Sequence, residues 1–352
     1  MAEQARQRSL TLSILPFAVM AIVAVIDFTA GPGVGFLPLV SLGPAFATLA
    51  GSWRRTALVG ALALALCTEL AIQNDLWGER RGYTALASVA GVTVAGAIVA
   101  IARQRRMTEL AHVRSVAEVA QRVLLRPVPR HAGNLRVAVS YTSAAAEARI
   151  GGDLYEVVAS PRGVRVIVGD VQGKGLEAVE TVADILGAFR EAAHDEADLV
   201  AVSARLERAA ERQLTGEKFC TAVLAEVTDK RSVTMLNHGH PPPLLVRPDG
   251  EVRLIEPPRP ALPLGLGALD AEGPRPFRVD FVPGDQILLY TDGVSESRDR
   301  AGRFYPLEER GLLLKEPDPE DALATLRADL VEHSAAPLHD DAAMLLLRYH
   351  GA

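Results

Sequence analysis

The sequence predicts an α+β protein: a four-helix membrane domain, a helical linker, and a domain of antiparallel β-sheets covered by helices. Three observations predict it. Apolar stretches of near-spanning length crowd the first hundred residues. A charged segment with helical spacing follows. Beyond Leu135, strand patterns come in blocks separated by turn signals and interrupted by two long helical stretches. The chain of 352 residues is long enough for two domains.

Charge is unevenly spread. Lys and Arg total 37 against 43 Asp and Glu, a net charge of −6, which argues against a general nucleic-acid binder. Residues 1–103 hold seven basic and five acidic residues, the remainder 30 and 38, so the acidity belongs to the second part. Two cysteines, Cys67 and Cys220, exclude a disulfide framework and a four-sulfur zinc site. With 49% apolar and 23% charged residues, wholesale disorder is excluded.

Four apolar stretches, residues 10–27, 34–51, 56–73 and 83–102, approach the ~20 residues that a helix needs to cross a ~30 Å hydrocarbon core. The fourth carries no charge; the second is rich in Gly and Pro. Arg6 and Arg8 precede the first, Arg54 and Arg55 separate the second and third, and Arg103, Arg105 and Arg106 follow the fourth. Both ends inside therefore satisfies the positive-inside rule, apart from Arg80 and Arg81 in an outer loop beside Asp75 and Glu79. The competing reading is a buried helical bundle of a soluble domain, and a cleaved signal peptide is disfavoured because further spans follow at once. Asp27 and Glu69 sit near span ends, as interfacial anchors or as a ligand or proton site. The short loops leave no room for an extracellular sensor domain.

Residues 103–125 read as a helix, with Leu110, Val113, Ala117, Ala120 and Leu124 on one seam, stopped by Pro127 and Pro129. The seam suits either a homodimer or an amphipathic helix packed on the next domain. Residues 104–127 thus form the linker, and 128–350 the second domain.

There, LRVAVSY, LYEVVAS and VRVIVGDV read as strands and residues 176–193 and 198–214 as helices. FCTAVLAEVT, SVTMLNHG, PPLLVRPDG, EVRLIE, FRVDF and QILLYTD are strands again. A helix over residues 319–333 precedes a last strand, AAMLLLRY. Turn signals such as Pro248-Asp249-Gly250 favour antiparallel pairing.

The chemistry lies in aspartates at strand ends. Asp153 follows Gly151-Gly152, Asp170 opens Asp170-Val171-Gln172-Gly173-Lys174-Gly175, Asp292 lies in Tyr290-Thr291-Asp292-Gly293, and Asp340 in His339-Asp340-Asp341. Gathered aspartates repel one another, and a divalent cation removes the conflict. Oxygen ligands without His or Cys favour Mg²⁺ or Mn²⁺ over Zn²⁺, and two such ions can ready a water for attack on a phosphoryl group. Asp-Gly alone is common in turns; four sites in strand-end context carry the reading together. Competing motifs fail. Residues 169–175 depart from a P-loop, with Val168 at the first glycine position and Gly175 at the Ser/Thr position, and neither HExxH nor GxSxG occurs. His238-Gly239-His240, followed by Pro241–Pro243, reads as a rigid loop flanking the sheet.

These residues resemble the SpoIIE/RsbU branch of the PPM-type, metal-dependent serine/threonine phosphatases. Ala120-Gln121 with Leu124-Leu125-Arg126-Pro127 resembles that branch's lead-in helix. GGDLYEV, GDVQGKG, FCTAVLAEV, HGHPPPLL, PLGLG, PGDQILLYTDGVSES and HDDAAMLLL then follow in the family's order, over residues 118–348. The resemblance implies an αββα sandwich with two Mn²⁺ or Mg²⁺ ions at one edge. It places Asp170 as the bridge between the ions, with the Val171 carbonyl as a backbone ligand, Asp292 and Asp340 in the first ion's shell, and Asp153 on a bound water or the second ion. It also implies in-line attack by a metal-bridged hydroxide on phosphoserine or phosphothreonine, without a phosphoenzyme. The chain departs from the pattern at Glu156, where the family often has Asp, and at His238. No arginine clearly matches the relatives' phosphate-binding arginine; Arg149 and Lys174 are candidates.

The expectation is a membrane-anchored protein phosphatase acting on a phosphorylated protein, by analogy a STAS-type anti-anti-sigma regulator, with membrane lipid as the other partner and no nucleic acid. Two alternatives stand beside it: a catalytically silent membrane scaffold that binds a phosphorylated partner, and a small transporter or channel formed by the spans. Dimerisation of the linker is expected to act on Asp170 through the helix beginning near Leu176.

Overall fold

The computed structural model describes residues 2–30, 36–142, 151–214, 218–228, 231–270, 272–334, 338 and 340–350. Arg149 and His339 lie outside the described residues, as do the side chains of Leu110, Val113, Ala117 and Ala120 on the expected seam. The chain divides into two compact units, Met1–Val113 and Arg114–Ala352.

The first unit is helical. Helix α1 covers Ala2–Ala30; a 3₁₀ turn, Leu37–Ser41, leads into α2, Leu42–Ala50; α3 is Trp53–Gln73 and α4 is Arg80–Leu124. Among the described residues two helical stretches are long and apolar enough to cross a membrane, Trp53–Gln73 and Arg80–Glu109. The other two expected spans are shorter apolar pieces, Ser13–Thr29 and Leu37–Leu49. In the second of these, Pro38 starts the 3₁₀ turn, and the nine-residue α2 is short of the ~20 residues of a full crossing. The expected fourth span and the linker are one helix of 45 residues, which ends ahead of Pro127 as expected. The division between the two compact units falls inside α4, between Val113 and Arg114, within the expected linker. Small residues let these helices approach: a Cβ on Gly60 would overlap Thr93, and one on Gly43 would overlap Met20. Asp27 is buried and accepts a hydrogen bond from Asn74 Nδ2 at 2.8 Å; Glu69 accepts one from Gln73 at 2.9 Å.

The second unit alternates as expected. Its elements are β1 His131–Ala132, β2 Leu135–Thr142, β3 Asp153–Ser160, β4 Gly163–Val171, α5 Leu176–Asp195, α6 Leu199–Gln213, β5 Cys220–Thr228 and β6 Ser232–His238. Then come β7 Leu244–Val246, β8 Val252–Leu254, β9 Phe277–Asp280, β10 Gln286–Tyr290, α7 Asp292–Ser295, α8 Leu307–Arg310, α9 Pro319–His333 and β11 Ala342–Tyr349. They build two antiparallel sheets, β1-β2-β11-β10-β7-β8 and β3-β4-β5-β6-β9. Helices α5 and α6 cover the five-stranded sheet, and α9 covers the six-stranded one, which gives an αββα layering.

Strand periodicity explains the layers. In β11, Ala343, Leu345, Leu347 and Tyr349 join the core shared with the other sheet, while Ala342, Met344 and Leu346 join the core that contains α9. β10 divides the same way, with Ile287 and Leu289 on one side and Leu288 and Tyr290 on the other. A strand buried on both faces reads as a continuous apolar run, which is why QILLY and MLLLRY lack polar alternation. Asp198 caps α6 by accepting from Ala201 N at 2.9 Å, and Asp318 caps α9 ahead of Pro319, accepting from Glu320 N at 2.9 Å.

Arg165 on β4 is fully buried. Its Nε meets Glu226 at 2.7 Å, and one terminal nitrogen donates to the carbonyls of Ala192, Ala193 and Glu196 at 3.3, 3.2 and 2.8 Å. It thereby closes the C-terminal end of α5 with donors that the helix lacks. Arg165→Ala is expected to cost about 3 kcal/mol, the low end for breaking a buried pair, because Glu226 keeps some solvent contact. A urea unfolding midpoint unchanged from wild type would contradict this.

Candidate metal centre

The sheets present their acidic residues in two pairs. In the five-stranded sheet, Asp153 at the start of β3 lies directly across from Asp170 near the end of β4. In the six-stranded sheet, Asp292 follows the end of β10 and Asp340 precedes the start of β11, and these strands pair through Tyr290 and Met344. Antiparallel neighbours put the end of one strand beside the start of the next, so residues far apart in sequence meet at one end of each sheet.

Thr291 ties the two pairs together. Its hydroxyl donates to Asp153 Oδ2 at 2.9 Å and accepts from Ala343 N at 3.0 Å, while its own N–H donates to the Ala343 carbonyl at 3.1 Å. Two glycines allow the close approach. A Cβ on Gly152 would overlap the Val171 carbonyl oxygen, and a Cβ on Gly293 would overlap the Asp341 carbonyl oxygen. The Val171 carbonyl therefore sits against bare backbone, and Val171 N donates to the Gly152 carbonyl at 3.1 Å.

The electrostatics are strained. Asp153 is 2% exposed; burial raises its carboxyl well above the usual carboxylate range, Asp170 opposite raises it further, and the Thr291 hydroxyl opposes the shift. Asp170 is pushed up to about 7, first by burial and then by Asp292 and Asp340, with Lys174 pulling the other way. Asp292 is raised by burial, Asp340 and Glu296. Lys174 Nζ donates to Asp340 Oδ1 at 2.8 Å, across partly exposed side chains. A cluster of carboxylates that resists ionisation becomes stable once a divalent cation supplies the missing positive charge. All side-chain donors are hard oxygens, so the set fits Mg²⁺ or Mn²⁺ by donor chemistry. Among the described residues no three His, Cys, Asp or Glu side chains close on one ion-sized point. Asp340 is turned to Lys174, and Asp153 to Thr291.

Beside the carboxylates lies a cleft of about 200 Å³ lined by Asp292, Gly293, Glu296, Ser297, Arg298 and Asp340. Sequence reasoning missed Glu296 and Arg298, whose side chains reach this wall from the turn of α7 and the segment after it. It also assigned no role to Asp341, which is buried and accepts from Gly151 N at 3.0 Å and from the Tyr141 hydroxyl. The adjacent acid of the Asp340-Asp341 pair was the available signal.

The two departures from the family pattern have partners. Glu156 accepts from Arg190 Nε at 2.7 Å. His238 closes β6 rather than lying in a loop; its Nε2 is 3.0 Å from Ser203 Oγ. His240 stands 3.0 Å from both Thr221 Oγ1 and the Tyr290 carbonyl. Burial lowers both imidazoles to about 4, so they stay neutral and act as struts of the framework.

Two antiparallel sheets between helices, with acidic strand ends gathered at the edge, define the PP2C-type phosphatase fold. A family model described as Stage II sporulation protein E (SpoIIE) matches residues 160–350, more than half of the sequence, and the chain belongs to this family. The phosphoserine phosphatase RsbU of Bacillus subtilis (strain 168) is 25% identical over 205 residues, 57% of this chain and 60% of RsbU. The crystal structure of the RsbU and RsbW domains of Rv1364c from Mycobacterium tuberculosis is similar with a TM-score of 0.51 at 25% identity, covering 62% of this chain and 60% of that one. The SiaA-PP2C domain of Pseudomonas aeruginosa has a TM-score of 0.55 at 20% identity, covering 70% of this chain and 98% of that domain, and supports the fold. The chain thus spans about 60% of the length of RsbU and of the Rv1364c protein.

Thr291→Val keeps the shape but leaves the Asp153 carboxyl and Ala343 N–H without their partner. A loss of about 1–3 kcal/mol is expected, the cost of unsatisfied buried groups. Chemical denaturation reads it, and a change below about 0.5 kcal/mol, the scale of an ordinary surface substitution, would remove Thr291 from the framework.

Proposed function

We propose that this chain is a membrane-anchored, metal-dependent protein phosphatase that hydrolyses phosphoserine or phosphothreonine, with a STAS-type anti-anti-sigma regulator as substrate. The observation that carries the reading is the placement of Asp153 across from Asp170, close enough to Asp292 and Asp340 that their charges act on the Asp170 carboxyl. Asp153, Asp170, Asp292, Asp340 and the Val171 carbonyl would hold two Mn²⁺ or Mg²⁺ ions. Bound there, the ions supply charge neutralisation on the phosphoryl oxygens and an acidified water. The chain's own part is positional. Gly152 and Gly293 let the backbone close in, Thr291 fixes Asp153, and Lys174 holds Asp340 by a partly exposed and therefore exchangeable ion pair. Arg298 lines the cleft wall with its guanidinium over the Phe304 ring, and would have to turn from that ring to meet a phosphate. Membership in the SpoIIE family and similarity to a phosphoserine phosphatase support the same activity.

The test is turnover of p-nitrophenyl phosphate and of a phosphoserine protein by the purified full chain with Mn²⁺. Asp170→Asn is expected to lower turnover more than ~100-fold, beyond the range for loss of an outer-sphere partner, and a chelator is expected to abolish it. Activity that survives either treatment would refute the metal mechanism.

Membrane anchoring is supported by the outer surface of the first unit. The apolar stretch of α4 has a mean hydropathy of 2.2 with only 17% of it buried, and that of α3 1.7 with 39% buried. Ile22, Val25, Phe28, Leu58, Val94 and Ile98 are all exposed, a surface suited to lipid and costly in water. In this reading residues 1–103 make four passes with both ends in the cytoplasm, as the Arg distribution indicates: two full helices, and the shorter pieces Ser13–Thr29 and Leu37–Leu49 crossing as a shortened and an interrupted span. The reading also retains a linker at 104–127, a phosphatase domain at 128–350 and a homodimer through the linker helix. The chain is expected to stay in the membrane fraction after alkaline carbonate extraction; release into the supernatant would overturn the anchoring.

A further inference from the structure

The last turn of α4 reaches the carboxylates through side chains that the proposed function does not use. Gln121 is 5% exposed. Its Nε2 donates to the Tyr141 hydroxyl at 3.0 Å and to the Gly151 carbonyl at 3.3 Å. The Tyr141 hydroxyl donates in turn to Asp341 Oδ2, and Gly151 N donates to the same oxygen at 3.0 Å. Asp341 N donates to Asp340 Oδ1 at 3.0 Å. A closed ring of hydrogen bonds therefore joins Gln121, Tyr141, Asp341 and Gly151. One side of the ring ends beside Asp340. The other ends at the Gly151-Gly152 step into Asp153.

A second tie holds the same turn. Arg190 donates from Nε to Glu156 Oε2 at 2.7 Å and from a terminal nitrogen to the Leu124 carbonyl at 2.9 Å. Leu124 is the last residue of α4, so its carbonyl has no partner within the helix. The end of α4 is thus fastened to β3 at two places, by Gln121 ahead of Asp153 and by Arg190 at Glu156.

The chemistry explains why an amide stands at 121. One nitrogen must supply two protons, to a phenol oxygen and to a carbonyl. A carboxylate there would face two acceptors with no proton to give. An aliphatic side chain would leave the Gly151 carbonyl and Tyr141 unsatisfied in a buried place. Partners behind a metal's own ligands orient those ligands, and their loss weakens metal affinity by about 10–100-fold.

We infer that Gln121 is a positioning residue of the metal centre, whose side-chain amide sets Tyr141 and Gly151 and through them Asp341, Asp340 and Asp153. The inference rests on the metal-dependent reading above, and it assigns to the end of α4 a part in divalent-cation affinity.

The test is Mn²⁺ binding by the full chain in detergent, read from the electron paramagnetic resonance signal of free Mn²⁺, together with thermal melting of the metal-free protein. Gln121→Ala, the near-isosteric Gln121→Glu and Tyr141→Phe are each expected to weaken Mn²⁺ binding at least about tenfold. The Gln121→Ala/Tyr141→Phe double variant is expected to lose less than the product of the two single losses, because both break one ring. Variants that melt lower but bind Mn²⁺ as wild type does would show a merely structural role and overturn the inference. So would losses that multiply in full. A wild-type chain that binds no Mn²⁺ would overturn the metal-dependent reading and this inference together; a wild-type chain that binds Mn²⁺ beside variants that match it would overturn this inference alone.

Discussion

The second unit is organised around a repulsion. Antiparallel pairing of β3 with β4 sets Asp153 across from Asp170; Asp153 is buried and Asp170 partly so, which deprives them of water that would screen them. Loss of water first, and then the charges of Asp292 and Asp340, push the Asp170 carboxyl up to about 7. No chain would gather these groups for stability alone, since a buried unpaired carboxylate costs folding free energy. The arrangement makes sense as a site that a hard divalent cation completes.

The scaffold bears that repulsion because it is rigid where the acids attach. β10 and β11 each bury one face against the other sheet and the opposite face beneath α9, so neither strand can shift register without exposing a full row of apolar side chains. Thr291 then links the two sheets at the acidic end, with its hydroxyl on Asp153 and its backbone paired to Ala343. On the far side of the five-stranded sheet, buried Arg165 binds the end of α5 to β4 and Glu226. His238 and His240, kept neutral by burial, fill positions where a metal ligand was conceivable and instead brace β6 against its neighbours.

The first unit follows a different solvent logic. Its interior packs Met20, Val23, Val40, Val59, Leu70 and Val89 with alanines and the close Gly60–Thr93 approach, while other large apolar side chains, Ile22, Val25, Phe28, Leu58 and Ile98 among them, are exposed. That exposed apolar surface is costly in water and would be ordinary against lipid, as the proposed anchoring requires. Pro38 and Pro44 are the reason that the second apolar stretch is not one spanning helix, since each interrupts the regular hydrogen-bond ladder of a longer one.

Local pattern alone determined the order of the longer strands and helices in the second unit, the helix 319–333, and the strand-end setting of Asp153, Asp170, Asp292 and Asp340, but not the short β1, α7 and α8. Those features follow from periodicity, capping and turn chemistry, which act over a few residues. The tertiary structure decided which acids meet, because register is a property of two strands and not of one. It also decided that Lys174 lies on Asp340, that Asp341 and Tyr141 support the site, and that Glu296 and Arg298 line the cleft. The fusion of the expected fourth span with the linker into one helix was hidden for a related reason. The change from apolar to charged composition at Arg103 marks a change of surroundings, and it carries no instruction for the backbone to break.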